Sequence, residues 1–127
     1  MRIKLNSVLV DDQDKALAFY TDVLGFEKNL DIPMGDARWL TVVSPESPDD
    51  IELLLEPTGF APVATYQKAL FDAGIPLTAF AVDDVRIEYD KLIKRGVVFR
   101  TGPTDAGTTT MAVFEDTCGN LIQIYEG

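Results

Sequence analysis

The side chains of this sequence that could do chemistry are few and scattered. Glu52 lies in IELLLEP, a carboxylate with isoleucine on one side and leucines on the other. There it could act as a general base with a raised pKa, anchor a cationic or hydroxylated ligand, or be a strand residue whose face meets water. Gln123, in LIQIYE, stands 71 residues later in a similar apolar run. Its amide could hold Glu52 or a ligand, or be satisfied within a strand. Trp39, the single tryptophan, sits in RWLTVV, where its ring could stack on a flat or cationic ligand or fill the core. Cys118, the single cysteine, falls in DTCGN, a predicted exposed turn without a neighbouring base or cation to make a thiolate, so nucleophilic catalysis is not expected of it. The stretch GPTDAGTTT has glycines and hydroxyls but neither a P-loop lysine nor a strand-to-helix setting, and reads as a hairpin loop flanking a cleft mouth. Histidine is absent altogether, which removes the commonest general base and the commonest transition-metal ligand together.

Composition narrows the function classes further. With 127 residues, 46% of them hydrophobic and 25% charged, the chain is expected to form one domain with its own core. The 21 acids and 11 bases leave a net charge of -10, a field that repels phosphate backbones and anionic lipid surfaces, so nucleic acid is not an expected partner. No apolar run approaches the ~20 residues of a membrane span, and MRIKLNSVLV reads as a strand rather than a secretion signal. With a lone cysteine, these features lead to an expectation of a cytoplasmic protein.

The elements that must position these side chains come in a repeated order. Lys4 to Val10 reads as a strand, Asp11 or Asp12 as a helix cap, and Ala16, Leu17, Tyr20, Val23 and Leu24 as one face of a helix that Gly25 ends. Strands follow at Arg38 to Val43 and Ile51 to Leu55, separated by the loop SPESPDD. A connector over about residues 57–75 carries a short helix with Val63, Tyr66 and Leu70 on one stripe before Gly74. Then the order restarts: Leu77 to Val82 as a strand, Asp84 as a cap, Val85, Tyr89, Leu92 and Ile93 as a buried helix face, and strands at Val97 to Phe99, Thr109 to Phe114 and Leu121 to Ile124. An offset of 72 lays Val10-Asp11-Asp12 on Val82-Asp83-Asp84 and Leu5 on Leu77, and an offset of 71 lays Gly25 on Gly96 and Glu52 on Gln123. That correspondence is the signature of a duplicated unit.

VDDQDKALAFYTDVLGF (Val10 to Phe26), AFAVDDVRIEYDKLIKRGV and VFEDTCGNLIQI together resemble the two modules of the vicinal oxygen chelate superfamily. That superfamily includes glyoxalase I, bleomycin-resistance proteins and extradiol dioxygenases. The resemblance implies an α+β fold of two βαβββ modules, module 1 over about residues 1–56 and module 2 over about 76–127, forming a cup-shaped mixed sheet often completed across a homodimer. It also implies that metal-dependent members place a ligand at the start of the first strand and on the last strand of each module. Carried onto this sequence those positions are Leu5, Glu52, Leu77 and Gln123. A leucine donates nothing to a metal, and strand alternation turns Asn6 and Thr78 to the opposite face, so no metal or other cofactor is expected.

Alternation then sets Ser7 beside Leu5, Ala79 beside Leu77, Leu54 beside Glu52 and Tyr125 beside Gln123, with Trp39 on a middle strand. A mainly apolar cleft with a few polar anchors is the profile of a small-molecule site. The expected function is metal-free binding of a small organic molecule; the alternative is a lyase, isomerase or transferase of the same superfamily, with a metal or with Glu52 as its base.

Overall fold

The computed structural model describes residues 1–127, which divide into two compact units, Met1–Ala64 and Thr65–Gly127. In the first, β1 (Leu5–Val10) leads into α1 (Gln13–Ala18), and then come β2 (Glu27–Met34), β3 (Ala37–Val43) and β4 (Glu52–Pro57). Helix α2 (Ala61–Asp72) follows, and the second unit continues with β5 (Thr78–Val82), α3 (Val85–Lys94), β6 (Phe99–Asp105), β7 (Thr110–Glu115) and β8 (Leu121–Glu126). Each unit thus has the strand-helix-three-strand order expected from the repeat. The sheets are four-stranded and mixed, ordered β1-β4-β3-β2 and β5-β8-β7-β6, with one parallel pair in each.

The helix starts follow the sequence closely. Asp12 accepts from the Lys15 amide and Asp84 from the Ile87 amide, both at 3.0 Å, so each carboxylate satisfies an orphan first-turn donor. After Ala18 the first helix widens into a π-helical turn, Phe19–Val23, closed by a bond from the Leu24 amide to the Phe19 carbonyl at 3.1 Å. That widening turns Phe19 into the core beside Tyr20, and Gly25 at φ 89° ends the element.

Burial assigns the two faces of each sheet. In the first unit Val8 and Val10 of β1, Leu40 and Val42 of β3 and Leu55 of β4 pack with Ala16 and Tyr20. The side chain of Gln13 fixes the helix there: its Nε2 donates to the carbonyls of Arg38 and Leu55 at 2.7 and 3.0 Å, and its Oε1 accepts from the Arg38 amide at 3.1 Å. The Arg38 guanidinium in turn makes two bonds to Asp31 and one to Asp14. In the second unit Val85, Leu92 and Val97 pack with Ala112, Phe114, Ile122 and Ile124, and the Tyr89 and Phe99 rings meet edge to face at 4.6 Å.

The turn between β7 and β8 departs from expectation. Cys118 is fully buried rather than exposed. Asp116 folds the turn around its own carboxylate, accepting from the amides of Cys118 and Asn120 at 2.8 and 3.0 Å and from Asn120 Nδ2 at 2.7 Å. Gln67 of α2 closes the cluster by donating to the Cys118 carbonyl and to Asn120 Oδ1, both at 3.0 Å. On α2 Gln67 is the buried residue, Val63 and Leu70 of the expected stripe are half-buried, and Tyr66 is exposed. Ile93 is likewise exposed on α3, leaving Val85 and Leu92 as its buried residues. GPTDAGTTT is not one loop, since β6 runs to Asp105 and β7 begins at Thr110.

Two substitutions test this buried turn. Asp116→Ala strips three buried donors of their acceptor and should lower unfolding stability by about 2–4 kcal/mol. Gly119→Ala puts a methyl at φ 98°, within 2.9 Å of the Gln67 side chain, and should cost about 1–3 kcal/mol. Urea unfolding midpoints check both.

Candidate functional site

The face of each sheet turned away from its helix carries the residues singled out from sequence. In the first unit the parallel register places Leu5 opposite Glu52 and Ser7 opposite Leu54. The antiparallel register adds Val43 opposite Glu52 and Thr41 opposite Leu54. Trp39 lies two residues from Thr41 on the same face, opposite Ile32 of β2. Leu5, Ser7, Trp39, Glu52 and Leu54 therefore share one surface. In the second unit Gln123 is opposite Ala79 and Val113, and Tyr125 is opposite Ala81 and Met111. Leu77 lies just ahead of β5, with its amide bonded to the Leu121 carbonyl at 2.9 Å. The repeat is thus imperfect at the expected ligand positions: Leu5 stands beside Glu52, whereas the direct neighbour of Gln123 is Ala79.

Glu52 is the most constrained group on this surface. Its Oε1 accepts from Asn29 Nδ2 at 2.5 Å and from Thr41 Oγ1 at 2.8 Å. Thr41 is fully buried and its hydroxyl also accepts from the Leu30 amide at 3.1 Å, so its hydrogen is committed to the carboxylate. The β-bulge between Lys28 and Asp31 belongs to this arrangement, since Asn29 and Leu30 are the residues it contains. Donation by Asn29, then by Thr41, holds the Glu52 carboxyl below its ordinary value, with the charge of Lys4 adding to the effect and partial desolvation opposing it. These donors favour the ionised form of Glu52. Oε2 has no donor from the protein.

Neither Asn29 nor Thr41 was legible as a site residue. Asn29 belongs to an edge strand whose residues are all exposed. Thr41 is indistinguishable by sequence from any strand threonine. The Gln123 side chain makes no hydrogen bond within the protein, so it meets Glu52's description only in being a polar group on an apolar face.

The donor set does not fit a divalent metal of the chelating type. No three His, Cys, Asp or Glu side chains gather into a group able to hold one. At the positions in question the groups present are two leucines, one carboxylate committed to Asn29 and Thr41, and one neutral amide.

Comparison with known proteins accords with this architecture. The profile of the Glyoxalase/Bleomycin resistance protein/Dioxygenase superfamily matches residues 2–124, and the chain belongs to that superfamily. It is 52% identical over 126 residues to the uncharacterized protein YurT of Bacillus subtilis (strain 168), covering 99% of both chains. It is 31% identical over 124 residues to a probable lactoylglutathione lyase of Synechocystis sp., covering 94% of this chain and 90% of that one. Among solved structures it resembles TnmS3, an antibiotic binding protein from Streptomyces sp. CB03234, with a TM-score of 0.78 and 30% identity over 99% of this chain and 95% of that one.

The state of Glu52 has a direct readout. In a carbon-13 titration of the glutamate carboxyls, Glu52 should protonate below its ordinary value of 4.5. Thr41→Val removes one donor and should move that midpoint upward. Because the folded-state value is depressed, Glu52 favours the folded state above its ordinary range, and this contribution is lost as pH falls through the depressed value.

Proposed function

We propose that this protein captures a small organic molecule without transforming it, and does so without a metal or other cofactor. The binding surface is the helix-free face of each sheet, with Leu5, Ser7, Trp39, Glu52 and Leu54 in the first unit and Leu77, Ala79, Gln123 and Tyr125 in the second. The observation that carries this reading is the pairing of Leu5 with Glu52. Where a chelating relative would present two donors side by side, this chain presents an apolar wall and a carboxylate already satisfied on one oxygen by protein donors. Apolar walls supply affinity, and Glu52 and Gln123 supply orientation. The likeness to TnmS3 supports the same reading. The reading makes the protein a cytoplasmic homodimer; its lone cysteine is free and buried, and no helix is long and apolar enough to cross a membrane.

The enzyme alternative draws its support from the likeness to a probable lactoylglutathione lyase. It would need a metal held in some other way, or Glu52 as a base, and a carboxyl held below its ordinary value is a weak proton acceptor.

Trp39 reports occupancy directly. Titration with a bleomycin-type glycopeptide and with a neutral anthraquinone, followed by tryptophan fluorescence and calorimetry, should show saturable binding of at least one probe in the micromolar range. The same molecule should be recovered unchanged. No binding of either at high micromolar concentration removes the capture reading. Stoichiometric Zn, Ni, Mn or Fe in protein purified without chelators, or a turnover that Glu52→Gln abolishes, establishes the enzyme instead. Light scattering after size exclusion should give a mass twice the 14.0 kDa of the chain.

A further inference from the structure

We propose that Lys4 is a positioning residue for Glu52, and that it acts by strapping the loop between β3 and β4 to the start of β1. The proposal deepens the capture reading, since it assigns what holds the Glu52 edge in place. Its test reads Glu52 with no ligand present, so either one can fail without the other.

The loop is stiffened by its own sequence. SPESPDD, Ser44 to Asp50, writes serine, proline and an acid twice in succession, and each proline presets φ at the second position of a turn. Both turns form: the Ser47 amide donates to the Ser44 carbonyl and the Asp50 amide to the Ser47 carbonyl, each at 3.1 Å. The carbonyls at the end of the second turn are taken by a residue distant in sequence. The Lys4 ammonium donates to the carbonyl oxygens of Asp49 and Asp50, the latter at 2.7 Å. Lys4 is accordingly half-buried, whereas its neighbours Ile3 and Leu5 are exposed.

The same residue holds Glu52 through its backbone. The Lys4 carbonyl accepts from the Glu52 amide at 2.9 Å, which begins the parallel ladder in which Leu5 stands opposite Glu52. Lys4 thus grips the chain on both sides of Ile51, at Asp49 and Asp50 with its ammonium and at Glu52 with its carbonyl. The choice of acceptors matters. Carbonyls are neutral, so an ammonium bonded to them is held in place without having its charge cancelled by a contacting carboxylate, and that charge still acts on groups nearby. After donation by Asn29 and Thr41, it is a further influence holding the Glu52 carboxyl below its ordinary value.

The test compares wild type with Lys4→Met, which keeps an unbranched stem but removes donors and charge, and with Lys4→Arg, which keeps both. Hydrogen exchange at the Glu52 amide should become roughly tenfold faster in Lys4→Met, as loss of the charge-assisted bonds to the loop requires. The carbon-13 titration midpoint of Glu52 should move upward in the same variant. Lys4→Arg should retain the wild-type behaviour in both measurements. A contact that only supported the loop would speed exchange and leave the midpoint where it was, so an unmoved midpoint in folded Lys4→Met overturns the positioning role. Unchanged exchange in that variant, or a Lys4→Arg protein that behaves as Lys4→Met does, overturns the strap. Should Lys4→Met not fold, wild type decides: the Lys4 ammonium protons should exchange with solvent more slowly than those of the exposed Lys94, and equal rates overturn the proposal.

Discussion

Each sheet carries a helix on one face only, and that asymmetry governs everything else in the two units. The helix face takes the large buried apolar side chains, Tyr20, Leu40 and Leu55 in the first unit and Leu92, Phe114 and Ile122 in the second. The other face buries fewer of them, Val43 and Leu54 in the first unit and Val113 and Leu121 in the second, and carries polar groups among them. The assignment is fixed by few interactions. Gln13 spans α1, β3 and β4 with three hydrogen bonds, and Asp84 with Glu126 holds the start of α3 against the end of β8. Slipping either strand set by one residue would exchange the two faces, so register and function are one constraint.

The polar groups on the open face obey the rule that a partly desolvated charge needs donors. Glu52 receives them from β3 and from the bulge of β2, so three strands converge on one carboxylate. This differs from the Asp116 turn, which also organises donors around a carboxylate but is fully buried and serves packing. The contrast matters for function. At Asp116 both oxygens are consumed internally, whereas at Glu52 the protein consumes one oxygen and leaves the other.

Much of the architecture was legible in the sequence because it follows from local chemistry. The caps Asp12 and Asp84, the helix stops at Gly25 and Gly96, and the module repeat all arise from backbone demands that short stretches of sequence satisfy by themselves. What was not legible depended on partners distant in sequence. Cys118 looked exposed because its turn has polar neighbours, yet those neighbours satisfy one another and Gln67 from α2 covers them. β2 was missed because EKNLDIPM is an edge strand interrupted by a bulge and Pro33, which weakens the alternation on which strand reading depends. The location of Glu52 was readable from the repeat; its donors were not, because Asn29 and Thr41 reach it from 23 and 11 residues away.

The parallel pairing of β1 with β4 bears on how the chain reaches this structure. Leu5 and Glu52 are direct partners although they are 47 residues apart in sequence. The β2-β3 hairpin joins through a short turn, and β3 and β4 are sequence neighbours, so both pairings close small loops. Closing the longest loop carries the largest entropy of ordering, and contacts of that separation are expected to form after the local ones. The edge where Leu5 meets Glu52 is therefore the pairing of the first unit with the largest loop-closure cost. A chain with that edge unpaired would keep its hairpin and the carboxylate that Asn29 and Thr41 anchor, but would lack the apolar neighbour that Leu5 sets beside it.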